Sequence, residues 1–398
     1  MFCPHCAEVN SKEATVCVSC GEPLAAEAPM PAQESPAEQP AASQAEGVQP
    51  AAKNRAKIPW YVFALGGLAL VVGLVVVGVV AYLLLGNKSG SIAYAVWEGS
   101  EVERGVYLMD GDGQNARLLV PLEADQGDVV YLDWSPDGSQ IAYGIMSNGS
   151  WEYELWVVEV KSGATTRLVD EIEGGDFSLF DWSPDSRQIV YTASEDELWI
   201  VSADGSQDTK LTPGSFPFWS PDGDFISYVD WQENAAGLIR PDGSEQTTLG
   251  DNTDNVFIPW GWSPDGKWIL THIQESVQGG INIVLLSRDG AEQVDIATSA
   301  EMDEALPSFA PNGKWIAYLT YNTNIDNTEL YIVRQDGSGT KQIAAGISVQ
   351  SFISWAPDSN ALIYISEEGV VVSVEIDSGE ATTLTAEGVP AVFPVYAP

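Results

Sequence analysis

The stretch Asp133-Trp134-Ser135-Pro136-Asp137-Gly138-Ser139-Gln140-Ile141-Ala142-Tyr143 decides the fold. Pro136 pre-sets φ at the first corner of a tight turn, Asp137 caps the backbone, and Gly138 takes the left-handed position. The apolar run after the turn reads as a strand. The unit returns at Trp182-Ser183-Pro184-Asp185 with Ile189-Val190-Tyr191, and at Trp219-Ser220-Pro221-Asp222-Gly223 with Ile226-Ser227-Tyr228. Further copies stand at Trp262-Ser263-Pro264-Asp265-Gly266, Phe309-Ala310-Pro311-Asn312-Gly313 and Trp355-Ala356-Pro357-Asp358. Each copy continues with a second apolar strand, such as residues 154–160 or 330–333. A hairpin follows (Asp204-Gly205, Asp289-Gly290, Asp336-Gly337), and then a short fourth strand. Aromatic turns 37 to 48 residues apart, each with four strands, fit the blades of a propeller.

The ends of the array set the count. Ile92-Ala93-Tyr94 matches the strand after a turn but has no Trp-Ser-Pro in front of it. Phe393-Pro394-Val395-Tyr396-Ala397-Pro398 lines up with Phe216-Pro217-Phe218-Trp219-Ser220-Pro221, and so reads as the missing first strand. Pairing the two segments closes a ring and removes its open edges. The expectation is an all-β, seven-bladed β-propeller over residues 90–398, closed by the C-terminal strand. Six or eight blades follow if the most worn unit, residues 225–250, is miscounted. The Trp-Ser-Pro-Asp-Gly, Ile-Ala-Tyr and Asp-Gly-Ser series is similar to the propeller repeats of TolB and related WD-like families. That resemblance implies the fold. TolB also has an amino-terminal α/β domain with no counterpart here, so its partners do not carry over.

All four cysteines stand near the amino terminus, as Cys3-x2-Cys6 and Cys17-x2-Cys20. Two such knuckles suit one tetrahedral zinc, and with four thiolates bound the site is closed and structural. Disulfides or a redox C-x2-C compete, but a redox motif opens a helix of a thioredoxin-like fold, which does not surround this one. Residues 1–24 resemble the short zinc ribbons of many bacterial proteins, and His5 reads as an exposed knuckle residue. Residues 25–57 form a disordered Pro/Ala/Glu linker ending in the basic Lys53-Asn54-Arg55-Ala56-Lys57. From Ile58 to Leu85 there is no charge, a run longer than the ~20 residues that span a bilayer. Trp60, Tyr61 and Tyr82 near its ends suit interfacial anchors. The run reads as a single transmembrane helix in the lipid bilayer, with the long segment ahead of it arguing against a cleaved signal peptide. Three basic residues before it against Lys88 after it put the amino terminus in the cytoplasm and the propeller outside. Ala69 and Gly73 make one small-xxx-small pair, a packing face for a helix dimer, although ordinary glycine tolerance accounts for it as well.

The chain carries 17 Lys+Arg against 57 Asp+Glu, a net charge of −40, and that balance argues against nucleic acid as a partner. Residues 1–57 hold 4 basic and 7 acidic residues, so the surplus belongs to the propeller. Hydrophobic residues at 45% exclude a disordered acidic chain. The sequence has two His, no G-x-S-x-G elbow and no HExxH, and it ends with the propeller, so no catalytic constellation is expected. His272 reads as a satisfied strand residue. Asp110-Gly111-Asp112-Gly113 reads as a hairpin, since an EF-hand needs Glu where Pro121 stands. The fourth-to-first and second-to-third loops share one face of the ring, and they are acidic. Asp125, Asp128, Glu173, Asp176, Asp254, Asp303 and Glu304, with Trp151 and Trp231 as anchors, form a candidate surface for a basic protein, peptide or cation. Solubility or adaptation to salt is the plainer account of the same charge. The functional expectation is a membrane-anchored binding or scaffold module. The rival is a propeller hydrolase or lyase acting on extracellular polysaccharide or peptide through carboxylates at the channel mouth.

Overall fold

A computed structural model of the chain describes residues 90–97, 102–123, 126–147, 152–173, 180–193, 196–250, 256–274, 281–297, 303–322, 327–348 and 351–398. The four cysteines, the linker and the apolar run 58–85 lie outside the described residues, as do Asp125, Trp151, Asp176 and Asp254. Among the described residues no helix is long and apolar enough to cross a membrane.

The repeats fold into seven four-stranded sheets, each with its strands in sequential spatial order. Every neighbouring pair is antiparallel, as short hairpin connections allow. In chain order the first strands are Asp128–Trp134 of blade 2, Phe180–Trp182 of blade 3 and Ser215–Trp219 of blade 4. Val256–Trp262 belongs to blade 5, Asp303–Phe309 to blade 6 and Ser354–Trp355 to blade 7. The first strands of blades 7, 1 and 2 touch in succession, as do those of blades 3, 4, 5 and 6, and so they line the ring's axis. Second strands are sandwiched between blades: Ile92–Val96 is buried throughout, and Ile226–Asp230 in all but its last residue. Burial on both faces is why these strands read as unbroken apolar runs rather than alternating ones.

Blade 1 is built from both ends of the array. Its first strand is Ala391–Tyr396, which pairs with Ile92–Val96 in the register Ile92↔Tyr396, Ala93↔Val395, Ala95↔Val392 and Val96↔Ala391. The seven-bladed, strand-closed ring is therefore the architecture expected from the repeats. Blade 4, whose motifs are worn, keeps all four strands, and a packing exchange accounts for its divergence. In blades 1, 2 and 6 the second-strand tyrosine stacks on an aromatic directly across the sheet: Tyr94 on Tyr107, Tyr143 on Trp156, Tyr318 on Tyr331. In blade 4 the partner of Tyr228 is Gly237, and a Cβ there would lie 2.3 Å from the ring, so the fully buried tyrosine occupies a side chain's place.

In the turns of blades 2 to 5, Ser and Asp cooperate. Ser135 Oγ donates to Asp137 Oδ1 at 2.8 Å and accepts from Gln140 N at 2.9 Å, while Ser139 N donates to the same carboxylate. Ser183–Asp185, Ser220–Asp222 and Ser263–Asp265 repeat the bond. Three of the turn tryptophans then staple their blades to the preceding ones. The indole N–H of Trp134 donates to Val395 O, that of Trp262 to Phe218 O, and that of Trp355 to Ser308 O, at 3.1 to 3.2 Å.

Asp222 extends its turn across a blade boundary by accepting from Arg288 Nη1 at 2.6 Å. Burial raises its carboxyl pKa, but the bonds from Ser220 and Arg288 outweigh that and bring it down to about 2. A depressed folded pKa stabilises above the unfolded value near 4, and the benefit is lost as pH falls toward 2. Asp222→Ala is expected to cost about 1–2 kcal/mol near pH 7 in urea melts, a figure kept low because both partners are partly exposed. The deficit should shrink toward zero in acid.

Candidate functional site

Because every pair is antiparallel, connections after second and fourth strands meet at one end of the ring, and the Ser-Pro-Asp turns lie at the other. Asp128 opens the first strand of blade 2, and Glu173 ends that blade's fourth strand, Thr165–Glu173. Asp303 and Glu304 open the first strand of blade 6, and Trp231 follows the second strand of blade 4. These five expected residues therefore share the loop end, on three different blades.

Asp128 is already engaged. Its Oδ1 lies 2.9 Å from Arg104 Nη2, and the same guanidinium donates to the Gly127 carbonyl. The Arg104 side chain is buried at 9% exposure, where an unpaired cation is costly, so Asp128 neutralises it. The carboxylate organises the loop end rather than standing free on it. Trp231 is different. It is 41% exposed, the large hydrophobic residue left on the described surface, and its indole N–H donates to Ser215 Oγ at 2.7 Å. One end is tethered and the apolar face is open, a geometry suited to an interface anchor.

Close by in sequence register, Phe216 packs on Trp260 with centroids 6.2 Å apart, and Trp260 Nε1 donates to His272 Nδ1 at 2.7 Å. Burial lowers the His272 pKa to about 4, so the ring is neutral near pH 7 with its proton on Nε2. The histidine is a satisfied strand residue. The Asp110–Asp112 segment is likewise a hairpin turn, with Asn115 Nδ2 donating to Asp110 Oδ2 and Gln114 N to Asp112 Oδ1.

The axis carries groups that the loop argument misses. Tyr131, Phe352 and Phe393, three positions before the turn aromatic in blades 2, 7 and 1, pack together. Centroids are 5.9 Å apart for Tyr131–Phe352 and 5.4 Å for Phe352–Phe393, and Phe180 adds an edge contact to Tyr131 at 5.0 Å. First strands are bulged at this level, and Phe216, Leu306 and Phe393 sit there with φ of 54°, 51° and 51°. Such backbone costs on the order of 1–3 kcal/mol per residue and is typical of segments that re-aim a side chain.

One position before the turn aromatic, blades 2 and 3 present Asp133 and Asp181, where the other blades have Val395, Phe218, Gly261, Ser308 and Ser354. Asp133 Oδ1 accepts from Trp134 N at 2.9 Å, and Asp181 Oδ2 accepts from Trp219 N at 2.6 Å. Both carboxyls are crowded by protein although each is half-buried rather than fully enclosed. Burial pushes Asp133 up to about 7, and burial with the Asp133 charge pushes Asp181 up to about 8. Tyr131 is raised well above its usual value by burial and by these two acids. A carboxyl replacing a small or apolar residue on an axial strand is the sequence signal for this pair. A cavity of about 230 Å³ adjoins it, lined by Asp133, Ser308, Ser354 and Val395, by the Tyr131, Phe352 and Phe393 rings, and by Pro311 at the turn end.

Comparison with known proteins agrees with this architecture. The family described as the TolB beta propeller domain matches residues 86–325. An uncharacterized protein of Agrobacterium fabrum is 27% identical over 179 residues, covering 40% of this chain and 59% of that protein. TolB from Acinetobacter baumannii superposes with a TM-score of 0.55 at 17% identity, over 80% of this chain and 70% of that one. Prolyl oligopeptidase B from Galerina marginata gives 0.55 at 13% identity, over 78% of this chain and 52% of that one. Likeness at such identities concerns the fold alone, and propellers of different function share it. With the repeat series, the closed seven-bladed ring and a family match over more than half its length, the chain belongs to the TolB β-propeller domain family.

Proposed function

We propose that this chain is a membrane-anchored recognition module that acts by non-covalent binding at the loop end of its propeller. In this reading residues 58–85 cross the bilayer, the propeller stands outside the cytoplasm, and Cys3, Cys6, Cys17 and Cys20 hold one structural zinc on the inner side. The observation that carries the binding role is Trp231, an exposed indole tethered to Ser215 at the end of the ring whose loops are acidic in sequence. An apolar anchor within an acidic rim suits a protein or peptide partner bearing a basic patch, whose approach the propeller's charge accelerates.

The test is affinity capture with the full-length chain and its Trp231→Ala variant from the source membrane and envelope fractions. A partner retained by the parent should lose at least about tenfold in affinity with the variant, the scale of an interface anchor, while the melting temperature stays put. The enzymatic reading rests on the fold shared with prolyl oligopeptidase B. It replaces the binding reading if the purified chain turns over peptide or oligosaccharide and loses turnover when channel-mouth carboxylates are removed.

A further inference from the structure

We propose that the axial cavity beside Asp133 binds a small alkylammonium group, with the Asp133–Asp181 pair as counter-charge and the Tyr131, Phe352 and Phe393 rings as apolar floor. The site lies toward the turn end of the channel, where Pro311 contributes to its wall, and it does not depend on the loop-end reading.

Three observations converge on it. First, among the described residues no Lys, Arg or His acts on the pair. The titratable groups that face it are the two carboxyls themselves and Tyr131, while the flanking first strands of blades 1 and 4 present Val395 and Phe218. Partly exposed carboxyls crowded by protein and without a cation either hold protons or await a positive partner.

Second, hydrogen bonding is incomplete at the junctions of blade 3 with blades 2 and 4, which flank the pair outside the cavity's own lining. Three turn tryptophans donate to the carbonyl one position before the turn aromatic of the preceding blade. By the same repeat geometry, Trp182 and Trp219 point at the Asp133 and Asp181 positions. Both are more than nine-tenths buried, and both indole N–H groups lack an acceptor. Native interiors seldom leave such donors unsatisfied, so a water oxygen is due there, and that oxygen can accept from the indole and from an ammonium N–H alike, the ammonium itself having no lone pair to offer.

Third, the shape fits. The cavity of about 230 Å³ falls below the volume range of drug-sized ligands, and room for a few carbons suits a short amine. Aromatic faces beside a carboxylate are the usual environment of an organic ammonium, and the Ser308 and Ser354 hydroxyls lie on the same wall. A divalent ion, in contrast, prefers a shell of six or more oxygens. Among the described residues no group of three metal-binding side chains occurs.

The ammonium belongs either to a free amine or to a lysyl side chain of a bound polypeptide, and n-butylammonium and Nα-acetyl-lysine methylamide present the two. Titration calorimetry on the full-length chain uses these probes, with 1-butanol as neutral isostere and calcium chloride as competing charge. Saturable binding of one n-butylammonium per chain is expected at about pH 8.5, weakening at least about tenfold at about pH 5.5 as the pair takes up protons. The lysine derivative binding equally well assigns the ammonium to a side chain, and its exclusion assigns it to a free amine; both support the site. Asp133→Asn should lose at least about tenfold in affinity and yet fold, since it removes an unpaired charge at constant volume. A reading independent of any variant is proton release: near pH 7 the heat of amine binding should vary with the buffer's ionisation enthalpy. Equal binding of 1-butanol, displacement of the amine by calcium at equimolar concentration, or no saturable amine heat at high pH overturns the proposal.

Discussion

A chain ending at Pro390 is expected not to fold cooperatively. The deletion removes Ala391–Tyr396, the first strand of blade 1, and with it the buried side chains of Ala391, Phe393 and Tyr396. It also uncovers one edge of Ile92–Val96, whose five residues are all buried in the ring. Taking Phe393 and Tyr396 at about 1.5–3 kcal/mol each and Ala391 at under about 1 kcal/mol, the loss is on the order of 4–7 kcal/mol before the uncovered edge is counted. Domains of this kind are stable by only about 5–15 kcal/mol in total, so most or all of the margin goes. The exposed strand edge then becomes a template for pairing between molecules. Circular dichroism should show a broad, early transition, and size-exclusion chromatography should show aggregation. A sharp transition at the parental temperature would mean that the ring does not depend on its closing strand.

The second large effect concerns pH. Asp133 and Asp181 have folded pKa values near 7 and 8, both above the usual carboxylate value of 3.8. Between about pH 4 and pH 8 the folded state therefore binds more protons than the unfolded one. Stability linked to the pair is fully present below about pH 4 and is lost as pH rises through 7 to 8. Two carboxyls shifted this far correspond to several kcal/mol, on an order-of-magnitude reckoning. Replacing both by asparagine should remove that slope. The double variant should match the parent at or below about pH 4 and exceed it by about 2–5 kcal/mol near pH 8 in urea melts. General repulsion from the acidic surface falls on both proteins and cancels in the difference. Identical pH slopes would show that the pair ionises as exposed carboxylates do.

Much of the fold was legible because a propeller writes the same local physics seven times. The Pro-Asp-Gly turns, the apolar second strands and the split blade joining Ile92 to Tyr396 all follow from residues near one another in sequence or from repeat phase. Blade 4 was harder to read because Gly237 gives way to the Tyr228 ring, so an aromatic pair that marks three other blades is missing. The loop end was legible as a location from strand parity. The state of its side chains was not: Arg104 reaches Asp128 across 24 residues, and no local pattern announces that pairing. The axial acids were passed over for a related reason. Asp133 looks like an ordinary polar residue before a turn, and its meaning emerges when ring closure sets it against Asp181, Tyr131 and the rings of blades 1 and 7.

The central claim is that the loop end of the propeller is its recognition surface, and hydrogen exchange on the captured complex tests it most directly. With partner bound, amides at residues 123–128, around Ser215 and through residues 230–235 should gain protection, while the turns at Ser135–Gly138, Ser183–Ser186 and Ser220–Gly223 keep their free-state rates. Protection confined to those turns, with the loop end unchanged, would contradict the account.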